Sequence, residues 1–268
     1  MVVQLHDNAV NLNRAVCGES AAVSDESVEH WKEEVLSPIL EGFESGDVYN
    51  VDETGLFYQL MPTKTVSVKG EAYHKGRMSK QRITVLLCSN ADGSDKLDPT
   101  VIGKFHKPHC FKNSATLPCT YYRSKSAWIT VDLFIKFLQA SDARMGARNR
   151  KVVLFMDKCP AHPTNLGFLQ NVKVHFFLAH CTSRLQPMVL GIIHSLKSKY
   201  QKAFVLKALV FIDRNEVLKL SILQAMHLLT GAWKMSTKET ISNCFHKVGF
   251  NVMSSHDKDG DESSSGHA

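Results

Sequence analysis

Two aspartates stand where a chain could hold metal ions. Asp52 closes the β-rich run "DVYNVD", just before "ETG", and Asp157 closes the β-branched and aromatic run "RKVVLFMD". Carboxylates on strand ends are fixed by a rigid backbone, and hard cations such as Mg²⁺ take oxygen ligands. Two such ions about 4 Å apart can activate water or a 3′-hydroxyl and stabilise the leaving oxygen in phosphodiester cleavage. Taken singly, each aspartate reads more simply as a strand-terminal residue that caps the following turn. What joins them is the order of the elements that would carry them.

That order can be followed along the chain. Residues 24–45 open with Ser24 or Asp25 as N-cap and place Val28, Trp31, Val35, Leu36 and Ile39 at helical spacing, with Pro38 to kink or end the helix. After the run that ends in Asp52, residues 66–105 read as antiparallel strands. Within them "RITVLLCSN" is continuously apolar, as a strand buried on both faces requires, and "NADGSDK" is the turn before "LDPTVIGKF". A helix is predicted over 131–145, then the strand that ends at Asp157, a helical or looped piece "TNLGFLQN" and a further strand "VKVHFFL". A long helix follows from near Pro187 to about Leu209, with two more over 213–230 and 236–247. Three antiparallel strands, a helix, a strand, a connection, a strand and a helix define an α/β class, the ribonuclease-H-like mixed sheet flanked by helices. Its first and fourth strands lie side by side and parallel, so Asp52 and Asp157 share one cleft, where open α/β sheets bind ligands.

Composition narrows the partners. The chain has 268 residues, enough for one main core. The seven cysteines are scattered without a CxxC pair, which favours reduced thiols in cytosol or nucleus over a disulfide framework. No apolar run approaches the roughly 20 residues of a membrane span, and the N-terminus has no secretory-signal pattern. Ten acids against Arg14 and Lys32 leave residues 1–50 at −8, four acids against Lys258 leave 256–268 at −3, and the stretch between carries +17 within a total of +6. A basic middle between acidic ends suits a polyanion, although lysine-rich solvated faces also occur without one.

Smaller constellations add candidates. Lys75, Arg77, Lys80 and Arg82 crowd "HKGRMSKQR" before a core strand, where they could meet phosphates or simply decorate a hairpin tip. Arg184 is a further phosphate candidate in the loop beside the cleft. "HKPHC" lacks the second cluster of a zinc tetrad. His162 in "CPAHP" could orient a ligand or a scissile phosphate, or pack at a turn. Cys159 has no base to activate it. Trp128, Phe134 and Phe137 read as core.

As a set, "VYNVDETGLFYQLMPTKT", "KQRITVLLCSNADGSDKL", "VIGKFHKPHCFKN", "FMDKCPAHP", "TSRLQPMVLGII" and "AWKMSTKETISNCFHKVGF" resemble successive blocks of the DDE endonuclease domain of Tigger/pogo-type transposases, over about residues 20–250. The resemblance implies a ribonuclease-H-like fold and three acidic ligands for Mg²⁺, the first two being Asp52 and Asp157. The third should directly follow the "LQPM" block. That position is Val189, 32 residues beyond Asp157, with Leu190 where the family has Gln. No acid lies between Asp157 and Asp213. Lys158 stands where the family has Asn after the second aspartate, and His180 replaces another Asn.

The resemblance therefore implies a transposon-derived, nuclear domain that binds DNA without sequence preference, has lost strand transfer with its third acid, and holds Mg²⁺ weakly or not at all. No membrane or small-molecule partner is implied. Residual Mg²⁺-dependent nuclease activity and a protein-interaction scaffold are the alternatives. The family's helix-turn-helix modules are not recognisable in the chain. The organisation expected is an acidic helical leader (1–45), the ribonuclease-H-like domain (46–210), a helical extension (211–254) and a disordered acidic tail (255–268).

Overall fold

A computed structural model describes residues 23–60, 81–112, 114–214, 216 and 218–250. Helix α1 (Asp25–Trp31) is N-capped by the Ser24 hydroxyl and continues through a π-helical turn, Lys32–Leu36, into α2 (Ser37–Leu40). The strands are β1 (Val48–Phe57), β2 (Arg82–Asn90), β3 (Thr100–Gly103), β4 (Thr120–Arg123), β5 (Val152–Met156) and β6 (Val172–Phe176). They form one sheet in the order β4-β3-β2-β1-β5-β6. β1, β2 and β3 pair antiparallel, while β5 joins β1, and β6 joins β5, in parallel. The mixed sheet of the ribonuclease-H-like class is thus present.

Alternation along the strands sends successive side chains to opposite faces. Tyr49, Val51, Leu86, Cys88, Leu154 and Met156 pack with Phe134, Phe137, Leu138 and Met145 of α3 (Val131–Ala147). Val48, Val85, Leu87, Val153 and Phe155 face the other layer, where Trp31 and Leu36 meet α5 (Ile193–Ile212), α6 (Ile222–Lys234) and α7 (Lys238–Lys247). Lys96 ties this layer to the β2–β3 hairpin by donating to the Trp233 and Lys234 carbonyls at 3.0 and 3.3 Å, the carbonyl end of α6.

The sequence reading needs several corrections. β4 was not foreseen: it is four residues long, largely polar and exposed at the sheet edge, and it pairs parallel with β3. Asp52 does not end β1 but lies within it, because β2 supports β1 from Tyr49 to Phe57 while pairing with β5 stops at Asn50. "TNLGFLQN" is a loop. The helix expected over 213–230 starts only at Ile222, where Ser221 and Gln224 form a reciprocal capping box. Trp128 is not core but 58% exposed, whereas Phe134 and Phe137 are buried.

One carboxylate fixes where β6 begins. Asp142 of α3 accepts the backbone N–H groups of Gln170, Asn171 and Val172 at 2.9, 2.6 and 2.9 Å. Its slight burial pushes its pKa up, but these bonds more than reverse that and hold it below the usual carboxylate value. A depressed folded pKa gives stability that is present above the unfolded value, near 4, and is lost as pH falls through the folded one. Asp142→Ala should therefore destabilise the chain by about 1–3 kcal/mol at neutral pH. In paired melting curves the gap should shrink below about pH 4, and a gap independent of pH would show that the carboxylate charge is not what matters.

Candidate metal centre

The site grows out of the boundary between β1 and β5. Where pairing ends, Asn50 is fully buried and fully used: its amide donates to the Phe155 carbonyl at 3.0 Å and the Val51 carbonyl at 3.3 Å, and its oxygen accepts the Met188 N–H at 2.9 Å. Gln186, also buried, donates to the Val51 carbonyl at 3.2 Å. These bonds fasten the π-helical turn Met188–Ile192, which opens α5, against β1 just before Asp52. A polar group buried without a partner costs about 1–3 kcal/mol, so Asn50, bonded on both its amide nitrogen and oxygen, gives this join a definite register, while Gln186 Oε1 is left without a partner.

Beyond Asn50 the two strands part. Oxygens of Asp52, Glu53 and Asp157 come together there, one from each residue lying within 4.8 Å of the others. Strand alternation alone would send Asp52 and Glu53 to opposite faces. They converge because Asp52 is free of β5, and its Oδ1 accepts the Glu53 N–H at 2.8 Å. Strand alternation gives no cue to Glu53; its place beside Asp52 in "DETG" is the only signal for it in the sequence.

His162 organises the α3 side. Its ring is buried against Phe134, with centroids 4.1 Å apart. Nε2 lies 2.9 Å from Glu53 Oε1, and Nδ1 lies 2.8 Å from the Asp157 carbonyl and 3.2 Å from its Oδ1. A carbonyl can only accept, so Nδ1 carries a proton. Burial alone would lower the pKa of His162, but the Glu53 hydrogen bond and charge, helped by Asp157, raise it. Burial raises Asp52 well above the ordinary carboxylate value, with the Glu53 and Asp157 charges adding to the effect. Asp157 is raised chiefly by burial, partly offset by His162. Lys197 of α5 is lowered by burial, against the pull of Asp52.

The position at which the family resemblance expects a third acid is Val189. Val189 sits in the π-helical turn with its side chain 41% exposed. Lys158 is exposed beside Asp157, and His180 holds φ 62°, a left-handed backbone where Asn is tolerated better than most residues. Cys159 belongs to a second possible ligand group with Asp157 and His162, but burial raises its thiol pKa and keeps it protonated. Among the phosphate candidates, Arg184 is engaged by the Asp25 carboxylate and the Val23 carbonyl. Arg82 opens β2 and sits over the Trp128 ring, and Lys75, Arg77 and Lys80 lie outside the described residues.

Two acids flanking the parting of a parallel pair, in a sheet of this order, mark a ribonuclease-H-like fold. The Mos1 strand transfer complex shares that fold at a TM-score of 0.53 and 13% identity, over 92% of this chain and 63% of that one. The family described as DDE superfamily endonuclease matches residues 80–245, and the chain belongs to it, in the Tigger/pogo branch. Tigger transposable element-derived protein 4 of Mus musculus is 36% identical over 88% of this chain and 46% of its own length. Major centromere autoantigen B of Homo sapiens is 33% identical over 82% of this chain and 36% of its own. The chain thus spans less than half the length of these relatives.

The pKa shifts at the site give a sign. Carboxyls raised by folding bind more protons in the folded chain than in the unfolded one, from about pH 4 upward, so their contribution worsens as pH rises. Asp52→Asn keeps the oxygen that receives the Glu53 N–H and removes the charge. It should stabilise the protein at pH 8, on the order of 1–3 kcal/mol, and this advantage should vanish near pH 4. A variant less stable than wild type at pH 8 would show that His162 and Lys197 compensate the Asp52 charge fully.

Proposed function

We propose that the chain is a transposase-derived, nuclear DNA-binding domain that no longer performs strand transfer. Val189 carries this reading: it occupies the helix start that Asn50 fastens to β1, at the position where the family resemblance places a third acid beside Asp52 and Asp157. The residues present fit one divalent ion and not a pair. Asp52, Glu53 and Asp157 bring oxygens within 4.8 Å, and buried Asp157 Oδ1 has only His162 Nδ1 near it, at 3.2 Å, whose proton already goes to the Asp157 carbonyl. Against this, His162 already engages Glu53, and the α5 side offers Lys197 in place of an anion. A divalent ion held there would supply Lewis-acid polarisation of a phosphate oxygen. His162 would hold the Glu53 carboxylate in place, and Asp52 would remain desolvated. Mg²⁺ is the ion proposed, at low affinity, because charge and oxygen count set the affinity for hard cations. That a solved Mos1 paired-end complex contains Mn supports a divalent ion in this fold.

DNA is the proposed partner because residues 51–255 carry the positive charge and the relatives are transposase-derived and centromeric proteins. Contacts through Lys and Arg to phosphates carry no sequence information, so binding is expected to be non-specific. With about five phosphates neutralised, the log–log slope against salt should be near −4 to −5. A flat response, or no binding at low salt, would remove DNA as the partner.

A residual one-ion nuclease is the second reading, favoured by Glu53 as an extra carboxylate. Nicking of supercoiled plasmid separates the two. Wild type should be silent with Mg²⁺, and Val189→Asp alone should gain little, since an error of about 1 Å can cost on the order of 100-fold in rate. Val189→Asp with Lys158→Asn and His180→Asn should nick measurably more, because it removes a cation and suits the left-handed position as well as restoring the acid. Robust wild-type cleavage that Asp157→Ala abolishes would establish the nuclease reading instead.

A further inference from the structure

Of the three tryptophans in the chain, Trp31 and Trp233 are buried and Trp128 is 58% exposed. An aromatic ring of that size exposed on a loop forgoes a large burial gain, yet the loop that presents it is firmly built. Ser124 N–H donates to the Gly103 carbonyl and Ala127 N–H to the Ser124 carbonyl, each at 3.0 Å. Ala127, at φ 56°, holds a left-handed backbone unusual for a residue with a Cβ, and its carbonyl accepts the Thr84 hydroxyl at 2.7 Å. On the far side Thr130 caps α3. The ring is therefore held out into solvent by fixed backbone on both sides.

One edge of this arrangement is already cationic. The Arg82 guanidinium lies 3.7 Å from the centroid of the Trp128 ring, and its buried Nη2 has no hydrogen-bond partner. Stacking, rather than a hydrogen bond at that nitrogen, holds it there. Gly55 makes the room: a Cβ at that position would come within 3.1 Å of Arg82 Cδ. Gly55 is two residues from Glu53 on the same face of β1, about 7 Å along the strand. Arg123, at the end of β4, and Lys125, on the same loop, are exposed, and residues 117–131 contain no acid.

We propose that Trp128, backed by Arg82, is a stacking platform for an unpaired nucleobase of a DNA strand lying along the carboxylate cleft. This inference rests on the DNA-binding reading above. In a duplex both faces of a base are covered by its neighbours, so only an unpaired or extruded base can stack on the ring. Every base has a π face, so the platform selects strandedness and not sequence. Arg123 and Lys125 lie where they can meet the phosphates on either side.

Tryptophan fluorescence and anisotropy of a labelled oligothymidylate of about 16 nucleotides, each read on the full chain, test this directly. With Trp31 and Trp233 buried, oligothymidylate should quench the exposed emission, and Trp128→Phe should lose that quenching while keeping most of the affinity. Trp128→Ala should bind oligothymidylate about 5- to 100-fold more weakly, with duplex affinity nearly unchanged. Bound oligothymidylate without quenching, or Trp128→Ala binding it as wild type does, overturns the platform. Duplex binding without single-strand binding also overturns the platform and leaves the DNA-binding reading intact. Binding of neither at low salt overturns both.

Discussion

Burial of the Asp52 carboxylate beside Glu53 and Asp157 is the constraint around which the rest of the structure is arranged. A carboxylate removed from water loses its solvation, and acids nearby add repulsion, so Asp52 and Asp157 hold their protons more tightly than usual. A site of this kind is stable only if something positive faces it. In this chain the protein supplies the facing basic groups: His162 from the α3 side, whose pKa Glu53 raises, and Lys197 from the α5 side, drawn upward by Asp52 against the lowering effect of burial. The sheet supplies the opening by letting β1 run on with β2 after it parts from β5.

The same junction explains why the substitution at Val189 bears so directly on chemistry. Asn50 and Gln186 join the start of α5 to β1 through buried hydrogen bonds, so whatever residue follows Met188 is delivered to the cleft with little freedom. An acid there would meet the other carboxylates at the end of a fixed lever. A valine there leaves the scaffold intact and, on the proposed reading, removes a ligand. The frame persists because its cost and benefit lie in packing and in Asn50, neither of which depends on position 189.

Most of the sheet could be read in the sequence because β-branched and apolar runs such as "RITVLLCSN" and "KVVLFM" have no other plausible place than a central strand. Strand order alone suggests that Asp52 and Asp157 share one cleft, and their oxygens do lie within 4.8 Å of each other. What was not legible depended on contacts distant in sequence. Glu53 joins the site only because β5 stops pairing at Asn50, and His162 is fixed by a glutamate 109 residues away. Trp128 looked like core by composition, but Thr84 and the left-handed Ala127 turn it outward. Arg184 looked free and is engaged by Asp25, across a separation of 159 residues.

The number of divalent ions the cleft can hold tests the central claim most directly. Electron paramagnetic resonance of added Mn²⁺ distinguishes isolated ions from a spin-coupled pair, and two-metal sites place their ions about 4 Å apart. Wild type is expected to give the signal of isolated ions only, at no more than one per chain in the cleft and abolished by Asp52→Asn. Val189→Asp combined with Lys158→Asn is expected to develop the coupled signal. A coupled pair in the wild-type chain would contradict the claim that Val189 leaves the site one ligand short.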